Sequence, residues 1–245
     1  MADADHPVAQ AVPAKKSDLM VRVASAVVML AIAGTAIWLG GNWLDLFIFA
    51  VGFGVFVEFV MLAKKASQDI AQLGSFAIGG AFYIGWGTLA LVVVPVPLLI
   101  GILGVVICTD TGAYFTGRAL GGPKIAPKIS PSKTWSGLLG GMAAAGIWTC
   151  IAVLYGSYLL SAESATGASL LLAVENANIA AAAIAGALLA VAAQAGDFFE
   201  SWLKRRAGAK DSSRLIPGHG GLFDRVDGLL PVAIIVGTAW AAGQV

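Results

Sequence analysis

The chain has 245 residues, 58% of them hydrophobic and only 12% charged, with a formal net charge of +1 and a mean hydropathy of +0.85. A soluble domain of this length would carry more surface charge, and a near-neutral total gives no electrostatic footprint for a nucleic-acid partner. Several apolar runs approach the ~20 residues of a bilayer-spanning helix, so the composition predicts an all-α polytopic membrane protein.

Residues 1–19 form a polar and then basic tail. The apolar run that follows is too long for a signal-peptide core and lacks a clear cleavage site, which predicts an uncleaved first helix. Seven spans are expected at about 21–41, 44–63, 73–95, 97–117, 136–160, 177–199 and 228–244, with the C-terminal region open to one broken or re-entrant segment. No internal repeat divides residues 20–245, which read as a single transmembrane domain. Glu58 falls inside the second span, where an ionised carboxylate is costly, so it is either functional or paired with a loop cation. Pro95 and Pro97, in VPVP, break helical hydrogen bonding between the third and fourth spans and permit a tight reversal. Cys108 and Cys150 lie in apolar segments, as small buried side chains do.

The basic residues partition by side. Lys15, Lys16 and Arg22, then Lys64 and Lys65, then Arg118, Lys124, Lys128 and Lys133, then six in residues 201–227, account for all 15. The alternate connections hold none, so the N-terminus and the two rich loops are expected in the cytoplasm and the C-terminus outside. Alanine and glycine in the fifth and sixth spans permit close packing within one subunit or in a homodimer.

Two of those loops contain more than topology needs. Asp110 ends the fourth span with Ala113, Tyr114 and Gly117 on its helical face; its bland role is to cap the helix or pair with Arg118. Lys124, Lys128 and Lys133 then alternate with Pro123, Pro127 and Pro131, which favour an extended segment lying along anionic headgroups. In the last loop, Gln194, Asp197, Ser201 and Lys204 share one face of the sixth span, bordered by Glu200. An interfacial salt bridge to Lys204 would explain those carboxylates alone.

It would not explain IPGHGGLFDRVD. Gly218, Gly220 and Gly221 allow backbone N–H groups to approach an anion. Arg205, Arg206, Lys210, Arg214 and Arg225 suit phosphate oxygens, and Asp224 and Asp227 suit a hard cation such as Mg²⁺. Together they read as a metal–phosphate site. The S-x-x-K pattern at Ser130 to Lys133 is interrupted by proline and has no companion motifs, and no Walker A loop is present. His219 is joined only by His6, which excludes a multi-histidine centre.

Ser201-x-Leu203-Lys204-Arg205, Lys210-Asp211 and Ile216-Pro217-x-His219-Gly220-Gly221-Leu222-x-Asp224-Arg225-Val226-Asp227 resemble the signature of the phosphatidate cytidylyltransferases, also called CDP-diacylglycerol synthases. Gly196-Asp197-Phe198-x-Glu200 and Asp110 through Gly117-Arg118 to Ile129-Ser130-Pro131-x-Lys133-Thr134 are similar to the same family. The likeness covers residues 104–240, and the first hundred match in character only.

That resemblance implies transfer of CMP from CTP to phosphatidic acid, giving CDP-diacylglycerol and pyrophosphate, with Mg²⁺ and room for a second cation such as K⁺. It implies that Asp197 and Asp224 hold the metal with Asp227 as a ligand or support, and that Lys204 holds triphosphate or lipid phosphate. Arg205, Lys210, Arg214, His219, Arg225, Gly220 and Gly221 would bind triphosphate or lipid phosphate, and Ser201 and Asp211 would orient neighbours. Asp110, Lys128, Ser130 and Lys133 would complete the site. A CTP-dependent polyprenol or phytol kinase would use the same residue types, and an ion-coupled transporter is the reading from another class. Chain length and Ala/Gly richness suggest a bacterial plasma membrane.

Overall fold

The computed structural model describes residues 16–163 and 178–243. Residues 1–15 of the tail expected at 1–19 and the connection at 164–177 lie outside the described residues, and residues 16–19 open the first helix. Chain order is α1 (Lys16–Leu39), α2 (Gly41–Ala66), α3 (Ile70–Val93), α4 (Val96–Leu120), β1 (Lys124–Ala126), β2 (Ser130–Thr134), α5 (Trp135–Glu163), α6 (Ile179–Arg206), the single turn α7 (Phe223–Val226) and α8 (Leu229–Ala242).

Local chemistry sets the boundaries. Gly40 and Gly41, with φ of 63° and 48°, make the reversal between α1 and α2 that a side chain would strain. Asp69 caps α3 by accepting from the Gln72 N–H at 2.7 Å, and Asn178 caps α6 by accepting from Ala181 at 3.0 Å. The VPVP reversal is present, with Pro95 as N-cap of α4.

Six helices are long and apolar enough to cross a membrane, matching the first six expected spans. The seventh is shorter than expected. α8 has 14 residues, about 21 Å of helix, against a hydrocarbon core of ~30 Å. α6 runs on past the apolar run through Arg206, carrying the first part of the signature on a helix.

α4 packs most extensively on α5, and α5 on α6. Without a hydrophobic force between helices in lipid, such contacts depend on small residues that let backbones meet. A Cβ at Gly112 would lie 2.6 Å from the Gly140 carbonyl oxygen. A second cluster joins α2, α3, α6, α7 and α8 through Val55, Phe59, Leu62, Ile84, Leu203, Phe223 and Leu230. α1 packs on α2, and most of its described side chains are exposed.

The segment expected to be extended is a β-hairpin, antiparallel with Lys124 opposite Thr134 and Ala126 opposite Ser130. Arg205 Nε donates to the Ile129 carbonyl at 3.3 Å, which ties the hairpin to the end of α6.

Replacing Gly112 with valine should force α4 and α5 apart and destabilise the protein by about 1–3 kcal/mol. Thermal unfolding in detergent measures it, with Gly156→Val as control, since a Cβ at Gly156 meets no atom within 4 Å.

Candidate active site

Glu58 of α2 is 3% exposed and sits under the loop that precedes α7. Its Oε1 accepts from the Leu222 N–H at 3.0 Å and the Ser213 hydroxyl at 2.7 Å. Its Oε2 accepts from the Phe223 N–H and the Ser212 hydroxyl, each at 2.8 Å. Two N–H groups and the Ser213 hydroxyl satisfy the buried charge, and the single Ser212 proton is shared between Glu58 and Asp224. The role left open for Glu58 is therefore an anchor for the signature loop, with no cation paired to it among the described residues.

Asp224 holds the same loop from inside. Its Oδ2 accepts from the N–H groups of Ser212 and Gly221, each at 2.8 Å, and from the Ser212 hydroxyl at 2.7 Å. Its Oδ1 accepts from Lys204 Nζ at 2.7 Å. Burial alone would raise the Asp224 carboxyl, but the bonds from Lys204, Gly221 and Ser212 outweigh it and hold it well below the usual carboxylate range.

These bonds change the expected use of the glycine turn. The N–H groups of Gly221, Leu222 and Phe223 point at the protein's own carboxylates, so they are not an anion nest for a ligand. Glycine is needed at 221 because a Cβ there would collide with Ser212 Oγ and Glu58 Oε2.

Lys204 bridges Asp224 and Glu200, its Nζ lying 2.5 Å from Glu200 Oε2. Glu200 is 1% exposed, and its other oxygen, Oε1, is buried without a hydrogen-bond partner. Lys204 is thus held as an internal counter-ion, away from the phosphate-binding role expected of a loop cation.

Asp197 faces a different cavity, of about 430 Å³, between α4, the hairpin, α5 and α6. Asp110, Tyr114, Arg118, Lys133 and Gln194 line it too. Lys133 Nζ meets Asp197 Oδ2 at 2.5 Å and lies 4.5 Å from the centre of the Phe198 ring. Ser201 reaches Asp197 Oδ1 only at 3.4 Å. Asp110, Asp197 and Asp227 act electrostatically on one another. Burial and then the charge of Asp197 push Asp227 up to about 7, although the Gly228 N–H donates to it at 2.8 Å.

The remaining expected residues divide between places. Lys210, Asp211, Arg214, His219, Gly220 and Arg225 line a second cavity at the loop surface. Arg205 is engaged with the hairpin carbonyl. Lys128 is exposed near the hairpin turn and Ser130 is buried. Ser212 went unnoticed, because a serine in a polar loop has no distinguishing pattern until its two carboxylate partners are known.

The donor set suits a divalent cation. Asp110, Asp197 and Asp227 place excess negative charge together, and Glu200 adds an orphaned oxygen. Among the described residues no three His, Cys, Asp or Glu side chains form a ready metal cage. Mg²⁺ does not need one, since it usually binds through one or two carboxylates, with waters and substrate phosphates supplying the rest.

Residues 75–241 match the profile described as "Cytidylyltransferase family". A protein of Brucella suis biovar 1 (strain 1330) named "Phosphatidate cytidylyltransferase" is 34% identical over 267 residues, covering 90% of this chain and 92% of its own. Proteins of the same name from Haemophilus influenzae and Pseudomonas aeruginosa are each 40% identical, covering 54% and 60% of this chain and 41% and 48% of theirs.

Asp227 supplies a pH prediction. Its folded-state value is raised, so the folded protein binds the extra proton, and the stability this contributes is full below about 4 and lost as pH rises through about 7. In chelator, the melting temperature should fall between pH 5.5 and pH 8 through this group, and Asp227→Asn should flatten that fall. An unchanged slope in the variant would contradict the coupling.

Proposed function

The chain belongs to the cytidylyltransferase family, and from that premise we propose that it is a phosphatidate cytidylyltransferase, transferring CMP from CTP to phosphatidic acid. The observation that carries this is the cavity of Asp110, Asp197 and Lys133, set at the ends of membrane-length helices beside a loop rich in phosphate-binding cations. One substrate is soluble and the other stays in the bilayer, and such a location serves both.

A phosphate oxygen of phosphatidate attacks the α-phosphorus of CTP. The bond from that phosphorus to the β-phosphate bridging oxygen breaks, and pyrophosphate leaves in line. No covalent enzyme intermediate is needed, so the side chains act by positioning and by charge. Lys133 is held at the cavity by Asp197 and Phe198, which fixes one ammonium where phosphoryl charge collects. Arg118, at the end of α4, adds a second cation to the lining. Lys204 offsets the charge of Glu200 and Asp224 and so keeps the two carboxylates compatible with burial.

Asp197 would hold Mg²⁺ with Asp110 and Asp227 beside it, whereas Asp224, the second ligand that the resemblance implies, is engaged by Lys204 and the loop amides and would act by fixing them. When bound, the ion would offset charge on the phosphoryl oxygens. The N-terminus and both rich loops are assigned to the cytoplasm of a bacterial plasma membrane, from the distribution of Lys and Arg.

With CTP labelled at the α-phosphorus, the label should enter the lipid and pyrophosphate should appear in equal amount. Release of CDP instead would indicate a lipid kinase and overturn the proposal. Asp197→Asn, folded in detergent, should lose on the order of a thousandfold in rate, and a wild-type rate in that variant would remove Asp197 from the mechanism.

A further inference from the structure

We propose that the side of α6 turned away from the catalytic cavity holds one anionic phospholipid that is not turned over, its acyl chain in a groove against α3 and its headgroup phosphate on Arg206. The inference goes beyond the proposed reaction and stands without it. α6 carries two stripes. Gln194, Asp197, Ser201 and Lys204 follow one, while Ala195, Phe199, Trp202 and Arg206 recur at spacings of four, three and four along another. Asp197 and Arg206 are nine residues apart, about two and a half turns, and so point to opposite sides of the helix. The sequence groups Arg206 with the cations of the signature loop, and the fold separates it from them.

The second stripe borders a cavity of about 460 Å³ between α3, α6 and the start of α8, within the usual size of ligand pockets. Its walls are rings, glycine and alanine. Phe76 and Tyr83 of α3 face Phe199 of α6 across it, with Pro231 of α8 in the lining. Phe199 stacks on Trp202 with ring centres 6.1 Å apart and meets Tyr83 edge-on at 5.7 Å, which makes the wall firm. Gly79 also lines the groove and leaves its α3 side bare, since a Cβ there would meet no atom within 4 Å. The Ser75 hydroxyl donates to the Ala71 carbonyl of its own helix at 3.1 Å. Such a lining, between helices of membrane length, suits a hydrocarbon chain arriving from the bilayer.

A cation stands at one end of the groove. Arg206 Cζ lies 5.7 Å from the ring centres of both Phe76 and Trp202, and Phe76 is itself a groove wall. Arg206 Nε donates to the Ala66 carbonyl at 3.2 Å. The guanidinium is thereby fixed, while its two terminal nitrogens have no hydrogen-bond partner among the described residues. A preorganised fork of this kind suits phosphate oxygens. Lys64 and Lys65 belong to the same last turn of α2 as Ala66, and both are exposed. Asp69, the acidic residue of this corner, is committed to capping α3. Three cations against one carboxylate, at the ends of membrane-length helices, attract an anionic headgroup.

Position separates this lipid from the reacting one. A phosphate on Arg206 lies across α6 from Asp197 and Lys133 of the catalytic cavity. Its role is to tie α2, α3 and α6 together, the helices that carry Glu58 and Lys204.

The test is lipid retention by the full chain. Protein is moved from nanodiscs of phosphatidylglycerol and phosphatidylcholine into mild detergent, and bound lipid is counted by native mass spectrometry in wild type, Arg206→Gln, Arg206→Lys and Gly79→Leu. The wild type should keep one phosphatidylglycerol. Arg206→Gln should weaken its retention about tenfold, the scale of one charge-assisted hydrogen bond, and Arg206→Lys should recover part of the loss. Gly79→Leu places its side chain in open groove and should weaken retention to a similar degree, with KM for phosphatidate unchanged. Added phosphatidylglycerol should raise the melting temperature of the wild type and not of Gly79→Leu. Wild-type retention in both Arg206→Gln and Gly79→Leu would overturn the proposal. A raised KM for phosphatidate in Gly79→Leu would also overturn it and assign the groove to the reacting lipid. Loss of a dimer in Gly79→Leu, with lipid retained, would overturn it in favour of a second copy of this chain.

Discussion

A buried carboxylate cannot remain unpaired, and a loop of small residues cannot hold its own shape. Glu58 and the signature loop solve both problems at once. The carboxylate takes three hydrogen bonds, and shares a fourth from Ser212, with residues that lie 154 to 165 positions later in the chain. A bond to a charged group contributes about 1.5–3 kcal/mol, and loss of the acceptor would strand two backbone N–H groups. The signature loop takes its position from this attachment. Asp224 tightens the same loop from within, sharing the Ser212 hydroxyl with Glu58, and Arg225 points back across the turn to the His219 carbonyl.

Charge balance is the second constraint. Glu200, Asp224, Asp197, Asp227 and Asp110 would repel one another if left alone near the bilayer. Lys204 is inserted between Glu200 and Asp224, and Lys133 reaches over from the hairpin to Asp197. Neither lysine is a freely mobile surface cation. Pairing of this kind adds little net stability, because desolvation offsets most of the Coulomb gain, but removing one partner exposes the full cost of the other. The negative charge left unbalanced around Asp110 and Asp227 is what suits the site to a divalent cation.

Six spans, the VPVP reversal and an extended segment at 124–134 were legible in the sequence, because chain-local hydropathy and proline determine them. The signature was legible too, since its spacing is unusual, and the family comparison agrees with it. The seventh span, expected at 228–244, falls on α8 at Leu229–Ala242, and composition does not reveal that this helix is shorter than the hydrocarbon core. The partner of Glu58 was out of reach, because nothing local links α2 to residues so far away. The same blindness misdirected the glycine turn: its free N–H groups suggest an anion site until a carboxylate from another helix is known to fill it. The contact of Ser25 with Pro217 and His219 was equally out of reach, because nothing local links α1 to the signature loop.

The attachment of α2 to the loop can be measured by hydrogen exchange at the amides of residues 221 to 223 in a lipid nanodisc. In the wild type these amides should exchange slowly, because each donates to a buried carboxylate. In Glu58→Gln, exchange at Leu222 and Phe223 should speed up strongly while α4 and α5 keep their protection. Rapid exchange at Leu222 and Phe223 in the wild type, or equal protection in the variant, would contradict the claim that Glu58 holds the signature loop in place.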